Sequence, residues 1–425
     1  MTFPALPLYR LVTGLAWPLV ALVLLARVFS GRERLADWAE RTGLALGRAP
    51  GPHLWLHAAS NGELTSARPL LLALHAARPD LRFLITSNSL TARDLASELG
   101  LPGVHARLAP FDTRWVAWLL CRRYGVVGHV LLEAEFWPNR IAAVANRGLP
   151  VIAMGARLSA RTAQSWRKLA PLSRWLLSRL SFVSPQDAGT AQRLSDLGLA
   201  PERLGEVLDL KAFYVPPAGL TLDPELQAQF DREATWLAAS THEGEDEIVL
   251  KAHAALLAHR PEARLIIAPR HPRRGAEIAA MARAAGLAVT RRAAGEAPQA
   301  GAVYVADTLG EMPLWYQLAG TTFIGGSLVE KGGHTPFEPA VFDSTLLHGP
   351  DTRNFTLIFR RLDVAGAAIQ VASAEDLTRA LIQVRDPERR DAMRRKAHAQ
   401  LDQPADLADL VQRIAAALPG ARDGA

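Results

Sequence analysis

The chain has 425 residues, 49% of them hydrophobic, and a formal net charge of +6, which is length and apolar content enough for two ordinary domains. The charge favours anionic partners, but no arginine-rich run with interleaved aromatics and no nucleic-acid module accompanies it, so nucleic acid is set aside as a partner. The single cysteine, Cys121, excludes an internal disulfide and a multi-cysteine metal site, and its apolar neighbours make it a core thiol.

Residues 11–26 form an almost wholly apolar run holding Trp17 and Pro18, bounded by Arg10 and Arg27. The run is shorter than the roughly 20 residues of a spanning helix. It suits a tilted span with snorkelling arginines, a helix lying in the membrane interface, or an uncleaved signal anchor; a buried soluble helix is the plain alternative. Arg27, Arg32 and Arg34 put that flank on the cytoplasmic side. From residue 53 onward, apolar runs alternate with helical stretches. Residues 53–58, 81–86, 126–133, 150–154 and 182–183 read as strands, with helices from Ser60 and from about Thr91. A proline-bearing stretch, Val215-Pro216-Pro217-Ala218-Gly219, reads as a linker. Strands then resume at 234–239, 264–268, 303–305, 322–324 and 345–347, with helices at 245–259 and 275–285. Such alternation means βαβ units and parallel sheets. The expected organisation is a hydrophobic anchor (1–30), an α/β Rossmann-like domain (31–209), a linker (210–233) and a second Rossmann-like domain (234–425). The last helix is a candidate to pack back on the first domain. Ligands of such sheets bind beyond the carboxyl ends of the strands, where nearly all the following motifs fall.

Gly325-Gly326-Ser327 and Gly332-Gly333-His334 follow an apolar strand and precede Thr335-Pro336, which reads as the cap and first residue of a helix. Glycines permit close backbone approach, and a helix start offers N–H groups to an anion. The spacing is neither the dinucleotide fingerprint nor the NTPase phosphate loop, which leaves a sugar-nucleotide cradle. Ser60-Asn61-Gly62-Glu63 is either a capping box or a loop presenting Glu63 as a general base; a carboxylate that caps turns back toward its own helix. Glu133-Ala134-Glu135-Phe136-Trp137-Pro138-Asn139 suits hydroxyl binding, or is a solvated loop before a helix. Ser240 and Thr241 can hold a phosphate or simply cap a helix. Arg270 and His271 can grip a phosphate or belong to a solvated basic loop. Gly310-Glu311-Met312 can lend backbone to a nucleotide or be a plain loop. Glu338 is either the end of a capping box or a ribose ligand. His53 and His57 share a strand face, but no carboxylate or cysteine stands at metal-ligand spacing, so no zinc site is expected.

The ordered set of these segments resembles the 3-deoxy-D-manno-octulosonic acid (Kdo) transferases of lipid A assembly. The matching stretches run from 57–63 through 133–139, 155–161, 240–246, 269–272, 310–312 and 325–339 to 349–355, and so cover most of the chain. The resemblance implies a GT-B fold, two Rossmann-like domains facing a cleft, and an inverting transfer of Kdo from CMP-Kdo to a lipid A precursor of the lipid IVA type. It implies no cofactor or metal, and a cytoplasmic catalytic part held at the inner membrane, in contact with its lipids. By resemblance Glu63 is the base, and Ser60, Asn61, Gly62, Glu135, Asn139 and Arg157 shape the acceptor side. The donor side then holds Ser240, Thr241, Arg270, His271, Gly310, Glu311, Met312, Gly325, Gly326, Ser327, Glu338 and Asn354. Three places depart from the family pattern: Asn61, the segment 205–211 ending in Lys211, and Pro313. A GT-B enzyme using a UDP-sugar and a catalytically silent lipid-binding homologue are the alternatives.

Overall fold

Fully apolar strand runs demand cover on both faces, and both sheets of the protein are wholly parallel, as that requirement predicts. The computed structural model describes residues 5–216, 220, 223–299, 302–402 and 406–420. The linker reading therefore falls partly outside the described residues, at 217–219 and 221–222, as do the first four residues of the anchor reading and the final five of the second domain. The chain divides into two units, one of Met1–Phe213 with Gln403–Ala425 and the other of Tyr214–Asp402.

The N-terminal unit has a six-stranded sheet in the order β3-β2-β1-β4-β5-β6. Its strands are β1 (His53–His57), β2 (Arg82–Ser87), β3 (Val104–Leu108), β4 (Val126–Leu132), β5 (Val151–Ala156) and β6 (Phe182–Pro185). This is the doubly wound dinucleotide-fold order, whose chain reversal between β1 and β4 opens a crevice at their carboxyl ends. Alternate residues feed the two faces: Trp55, Leu84 and Leu131 enter one core, and Leu54, Leu56, Phe83, Val130 and Leu132 the other. The second core is closed by Leu410, Val411, Ile414 and Leu418 of the helix Leu407–Ala417. Burying four such side chains contributes about 6–10 kcal/mol. Gly128 in β4 makes room for this helix, since a Cβ there would lie 2.5 Å from Leu418.

The N-terminal helix runs Ala5–Phe29, 25 residues and so about 37 Å, longer than the apolar run alone suggests because Tyr9, Arg10 and Arg27 are taken into it. It is long and apolar enough to cross a membrane, yet it is fastened sideways to its own unit. Tyr9 Oη donates to Asp112 at 2.9 Å, Arg10 Nε to Asn139 Oδ1 at 3.2 Å and Trp17 Nε1 to the Thr42 carbonyl at 3.0 Å. Trp38 Nε1 donates to the Ala21 carbonyl at 2.8 Å, and Arg27 pairs with Glu33 at 2.9 Å. The outward face is a stripe of Leu11, Leu15, Leu19 and Leu22, 59–73% exposed.

The C-terminal unit has a seven-stranded sheet, β13-β12-β11-β7-β8-β10-β9. The strands are β7 (Thr235–Thr241), β8 (Arg264–Pro269), β9 (Val289–Arg291), β10 (Val303–Val305), β11 (Thr321–Ile324), β12 (Thr345–His348) and β13 (Ala368–Gln370). Its chain reversal lies between β7 and β11, which pair in parallel from Thr321↔Trp236 to Ile324↔Ala239. The loops leaving these two strands carry the serine–threonine motif and the glycine motif.

Candidate functional site

In the N-terminal unit the residues at the β1/β4 reversal converge. β1 ends at His57 and the helix Asn61–Ala77 starts after the N-cap Ser60. Ser60 Oγ accepts from the Glu63 N–H at 3.3 Å, and the Glu63 carboxylate reaches back to the Ala59 N–H at 2.8 Å and to Ser60 Oγ at 3.3 Å. Glu63 thus closes a capping arrangement, and at the same time it lines a small pocket with Glu133, Gln186, Asp209 and Lys211. It therefore both caps its helix and lines the pocket. Burial raises the Glu63 carboxyl to about 7; the carboxylates of Glu133 and Glu135 add to the rise, and the Ala59 N–H and Ser60 oppose it.

Glu133 leaves β4 with φ +51, a left-handed conformation rare for a side chain of this kind. Its backbone bridges to β5, receiving from Arg157 N–H at 3.1 Å and donating to Met154 O at 3.1 Å. Its carboxylate is 3.4 Å from Lys211 Nζ. Asp209 is buried, accepts from Gln186 Nε2 at 3.2 Å and from Lys211 N–H at 3.0 Å, and burial pushes its carboxyl up against the pull of Lys211. Asp209, Lys211 and Gln186 are the residues that sequence reasoning left unassigned. Lys211 stood in the departing segment 205–211, and nothing in the local pattern ties that segment to a strand end.

The other acceptor-side residues separate. Glu135 accepts from Trp137 Nε1 and faces buried His57 at 3.5 Å. Hydrogen bonding to His57 holds the Glu135 carboxyl below its usual range, while burial keeps His57 near 4. Asn61 is exposed and accepts from Thr91 Oγ1 at 3.0 Å, tying two helix starts together. Gly62 is exposed beside it. Arg157 is exposed and makes no ion pair among the described residues. Asn139 stands apart: it is 1% exposed, donates to the Asp112 carbonyl at 2.8 Å and accepts from Arg10 at 3.2 Å. Its amide is used in seating the N-terminal helix.

In the C-terminal unit the glycine cradle is already filled. The buried Glu245 carboxylate accepts from the N–H groups of Gly326 (2.6 Å), Ser327 (3.0 Å), Leu328 (2.9 Å) and His242 (2.9 Å). Gly325 N–H goes to the Ala239 carbonyl at 2.8 Å. The expectation that Gly325, Gly326 and Ser327 present N–H groups to a phosphate is corrected accordingly, because an internal carboxylate occupies them. Ser327 is wholly buried and its hydroxyl accepts from Gly349 N–H at 2.7 Å. The helix expected at Thr335-Pro336 begins at Phe337 and lasts five residues, Phe337–Val341, without a capping box. Thr335 Oγ1 instead accepts from Phe337 N–H at 3.3 Å. Glu338 hydrogen-bonds the buried Tyr316. Asn354 donates to the carbonyls of Lys331 (3.0 Å) and Gly333 (3.2 Å), which fixes the glycine loop.

Exposed polar groups surround this scaffold. Ser240 takes φ +56 at the end of β7, and Thr241 beside it is buried. Arg270 and His271 follow β8, both exposed, with Arg270 N–H bound to the Thr241 carbonyl at 3.0 Å. Burial, and then the neighbouring arginines, keep His271 below its usual value. Gly310 takes φ +81. Glu311 is held by Arg292 through contacts of 2.7 and 3.2 Å, so its carboxylate is occupied. Met312 opens the helix Met312–Leu318, and Pro313 sits in its first turn, where a missing N–H costs nothing.

Residues 36–213 match the family model of the 3-deoxy-D-manno-octulosonic-acid transferase (kdotransferase). A 3-deoxy-D-manno-octulosonic acid transferase of Haemophilus influenzae is 33% identical over 355 residues, 81% of this chain and 81% of that protein. The chain belongs to the Kdo transferase family. The corresponding Bordetella pertussis transferase is 33% identical over 84% of this chain and 86% of its own length. A probable mitochondrial member of Arabidopsis thaliana is 30% identical over 88% and 86%. Among solved structures, the UDP-GlcNAc 2-epimerase of Neisseria meningitidis bound to UDP-GlcNAc superposes with TM-score 0.60 at 13% identity, over 86% of this chain and 99% of that one. A spinosyn rhamnosyltransferase superposes with TM-score 0.55 at 14% identity, over 85% and 100%. The Kdo transferase chain therefore has the GT-B fold, and its two parallel sheets are the two Rossmann-like halves of that fold.

Proposed function

We propose that this Kdo transferase moves Kdo from CMP-Kdo to a lipid A precursor of the lipid IVA type, with Glu63 as general base and inversion at the anomeric carbon. The observation that carries the reading is Glu63: a half-buried carboxyl at the β1 end of a doubly wound sheet, held at about 7, lining a pocket with Lys211 and Glu133. A base of that strength is matched to neutral pH. It takes the proton of an acceptor hydroxyl as that oxygen bonds to the anomeric carbon. The bond from that carbon to the phosphate oxygen breaks, and CMP leaves with the electron pair. Lys211 pairs with Glu133, and the proton arriving on Glu63 lowers the negative charge that Glu63, Glu133 and Asp209 together place in the pocket.

The C-terminal unit is read as the donor side. Since Glu245 fills the glycine loop, the phosphate charge falls to side chains: Arg270, His271 and Lys331, with the Ser240 hydroxyl. Pre-placed cations such as Arg270 and Lys331, with His271 as a hydrogen-bond donor, serve as the electrostatic catalyst for a leaving phosphate, and no metal is required in the proposal. Glu338, oriented by Tyr316, is the ribose ligand. The N-terminal helix supports attachment at the inner membrane, with the catalytic units on the cytoplasmic side. Its five lateral fastenings favour a helix lying in the interface, leucine stripe inward to the lipid, over one standing alone across the bilayer. Basic residues after it draw a phosphorylated acceptor to that surface.

The test is the pH dependence of kcat/KM for Kdo transfer. The reading predicts a tenfold rise per pH unit up to about 7 and a plateau above, because only the carboxylate form accepts the proton. A flat profile from pH 5.5 to 8.5 would remove Glu63 from the role. Inhibition by CMP but not by UDP is expected; the reverse selects a UDP-sugar donor.

A further inference from the structure

His242 and His334 come from different loops of the C-terminal unit and meet with rings nearly parallel. Their planes differ by 6°, their centroids are 5.2 Å apart, and Nε2 faces Nε2 at 3.0 Å. At that separation one hydrogen lies between the two nitrogens, with one ring donating and the other accepting. The pair then has one place for an added proton, the Nδ1 of the donating ring. Filling it makes an imidazolium whose Nε2–H still donates to its neutral partner. A second proton would have to enter between the nitrogens and break the bond. The pair therefore holds one positive charge or none.

The surroundings are built around this pair. Gly326 takes φ +68, and a Cβ there would lie 3.2 Å from His334 and 3.3 Å from His242. Lys331, His271, Arg270 and Arg274 face His242, and Arg270 faces His334. His271 meets His242 edge-on at 6.2 Å. The Glu245 carboxylate spends its oxygens on backbone N–H groups, among them that of His242 itself. Burial holds each ring at about 4, aided at His242 by Lys331, His271 and the arginines and at His334 by His242 and Arg270, so without an anion the pair is neutral at pH 7.

We infer that His242 and His334 form a proton-accepting anion receptor: a phosphate or carboxylate that settles on Arg270, His271 and Lys331 is joined by one proton taken up into the pair. This rests on the reading of the C-terminal unit as the donor side. The anion offsets the cations that oppose protonation and favours the charged ring. By linkage, affinity for the anion then rises as pH falls.

Titration calorimetry of the full-length protein in detergent tests this, with CMP (phosphate), free Kdo (carboxylate) and cytidine (neither) as probes. Runs at pH 6, 7 and 8 in buffers of different ionisation enthalpy count the protons. The double variant His242→Gln with His334→Gln keeps a side-chain hydrogen bond across the gap and has no imidazole to take up the proton, whereas either single substitution leaves a ring whose Nδ1 still can. The wild-type count minus the variant count cancels the titration of CMP itself. The inference predicts that the wild type takes up close to one proton more than the double variant per CMP or per Kdo at pH 6, with no such excess for cytidine. It also predicts that the double variant weakens binding about tenfold at pH 6 and less than twofold at pH 8, as a bound-state titration near pH 7 requires. Uptake with CMP alone assigns the pair to the phosphate, and uptake with Kdo alone assigns it to the carboxylate. CMP binding with equal proton counts in wild type and the double variant overturns the inference and leaves the donor reading intact. No CMP binding at any pH overturns both.

Discussion

Replacing Glu63 with glutamine should strengthen the fold while ending transfer. The carboxyl is held at about 7 against an ordinary 4.5. A shift of that size is worth roughly 3 kcal/mol at about 1.4 kcal/mol per unit; its open edge to solvent reduces this to about 2–3 kcal/mol. The sign follows from proton counts. Between pH 4.5 and 7 the folded carboxyl keeps a proton that the unfolded one has lost. Stability is therefore fully present below 4.5, falls as pH rises toward 7, and is flat above. Glutamine has no proton to lose, and its carbonyl still receives the Ala59 N–H. Thermal unfolding of the full-length protein at pH 5 and pH 8, with and without the substitution, reads the effect. At pH 5 the difference should be small. At pH 8 the Glu63→Gln protein should melt about 4–10 °C higher in its N-terminal unit, with CMP release from CMP-Kdo in the presence of acceptor lowered at least a hundredfold. A variant that melts lower at pH 8, or one that keeps its activity, would refute the reasoning.

Glu245→Gln places an amide NH2 against two backbone N–H groups and leaves them unpaired, about 1–3 kcal/mol each. Hydrogen exchange at residues 326–328 should quicken and the donor KM should rise at least tenfold; unchanged exchange at those amides would deny the loop-filling role. Arg270→Ala should raise the donor KM about tenfold or more with a smaller loss in kcat, as removal of a phosphate contact does; a KM within twofold of wild type contradicts the donor assignment. Asn139→Ala removes the amide that joins Arg10 to the Asp112 carbonyl. It should cost about 2–3 kcal/mol and quicken exchange in the N-terminal helix before the rest of the unit; uniform exchange would mean the helix is seated by other contacts.

Central strands were legible because parallel sheets buried on both faces make continuous apolar runs. The strands that escaped reading are β3, β9 and β13, all at sheet edges. Their sequences, Val-His-Ala-Arg-Leu, Val-Thr-Arg and Ala-Ile-Gln, carry polar residues that an edge tolerates and a pattern search passes over. The motifs at strand ends were legible by position, but their internal partners were not. Glu245 reads as one more acidic residue at a helix start, and only the fold brings it beneath a loop some eighty residues later. The same holds for Asn139, whose partners lie on the N-terminal helix and in the loop after β3. Lys211 shows the converse: a departing segment still delivers its lysine to the Glu133 carboxylate, because β6 and the short turn Leu210–Phe213 return it to the β4 end.

The most direct measurement is mass spectrometry of the products when the full-length protein, in detergent, is given CMP-Kdo generated in situ and a tetraacylated lipid A precursor. Lipid product heavier by one or more Kdo units, formed by the wild type and absent with Glu63→Gln, is the predicted result. Consumption of CMP-Kdo with no gain in lipid mass, or equal gain with both proteins, would contradict the account.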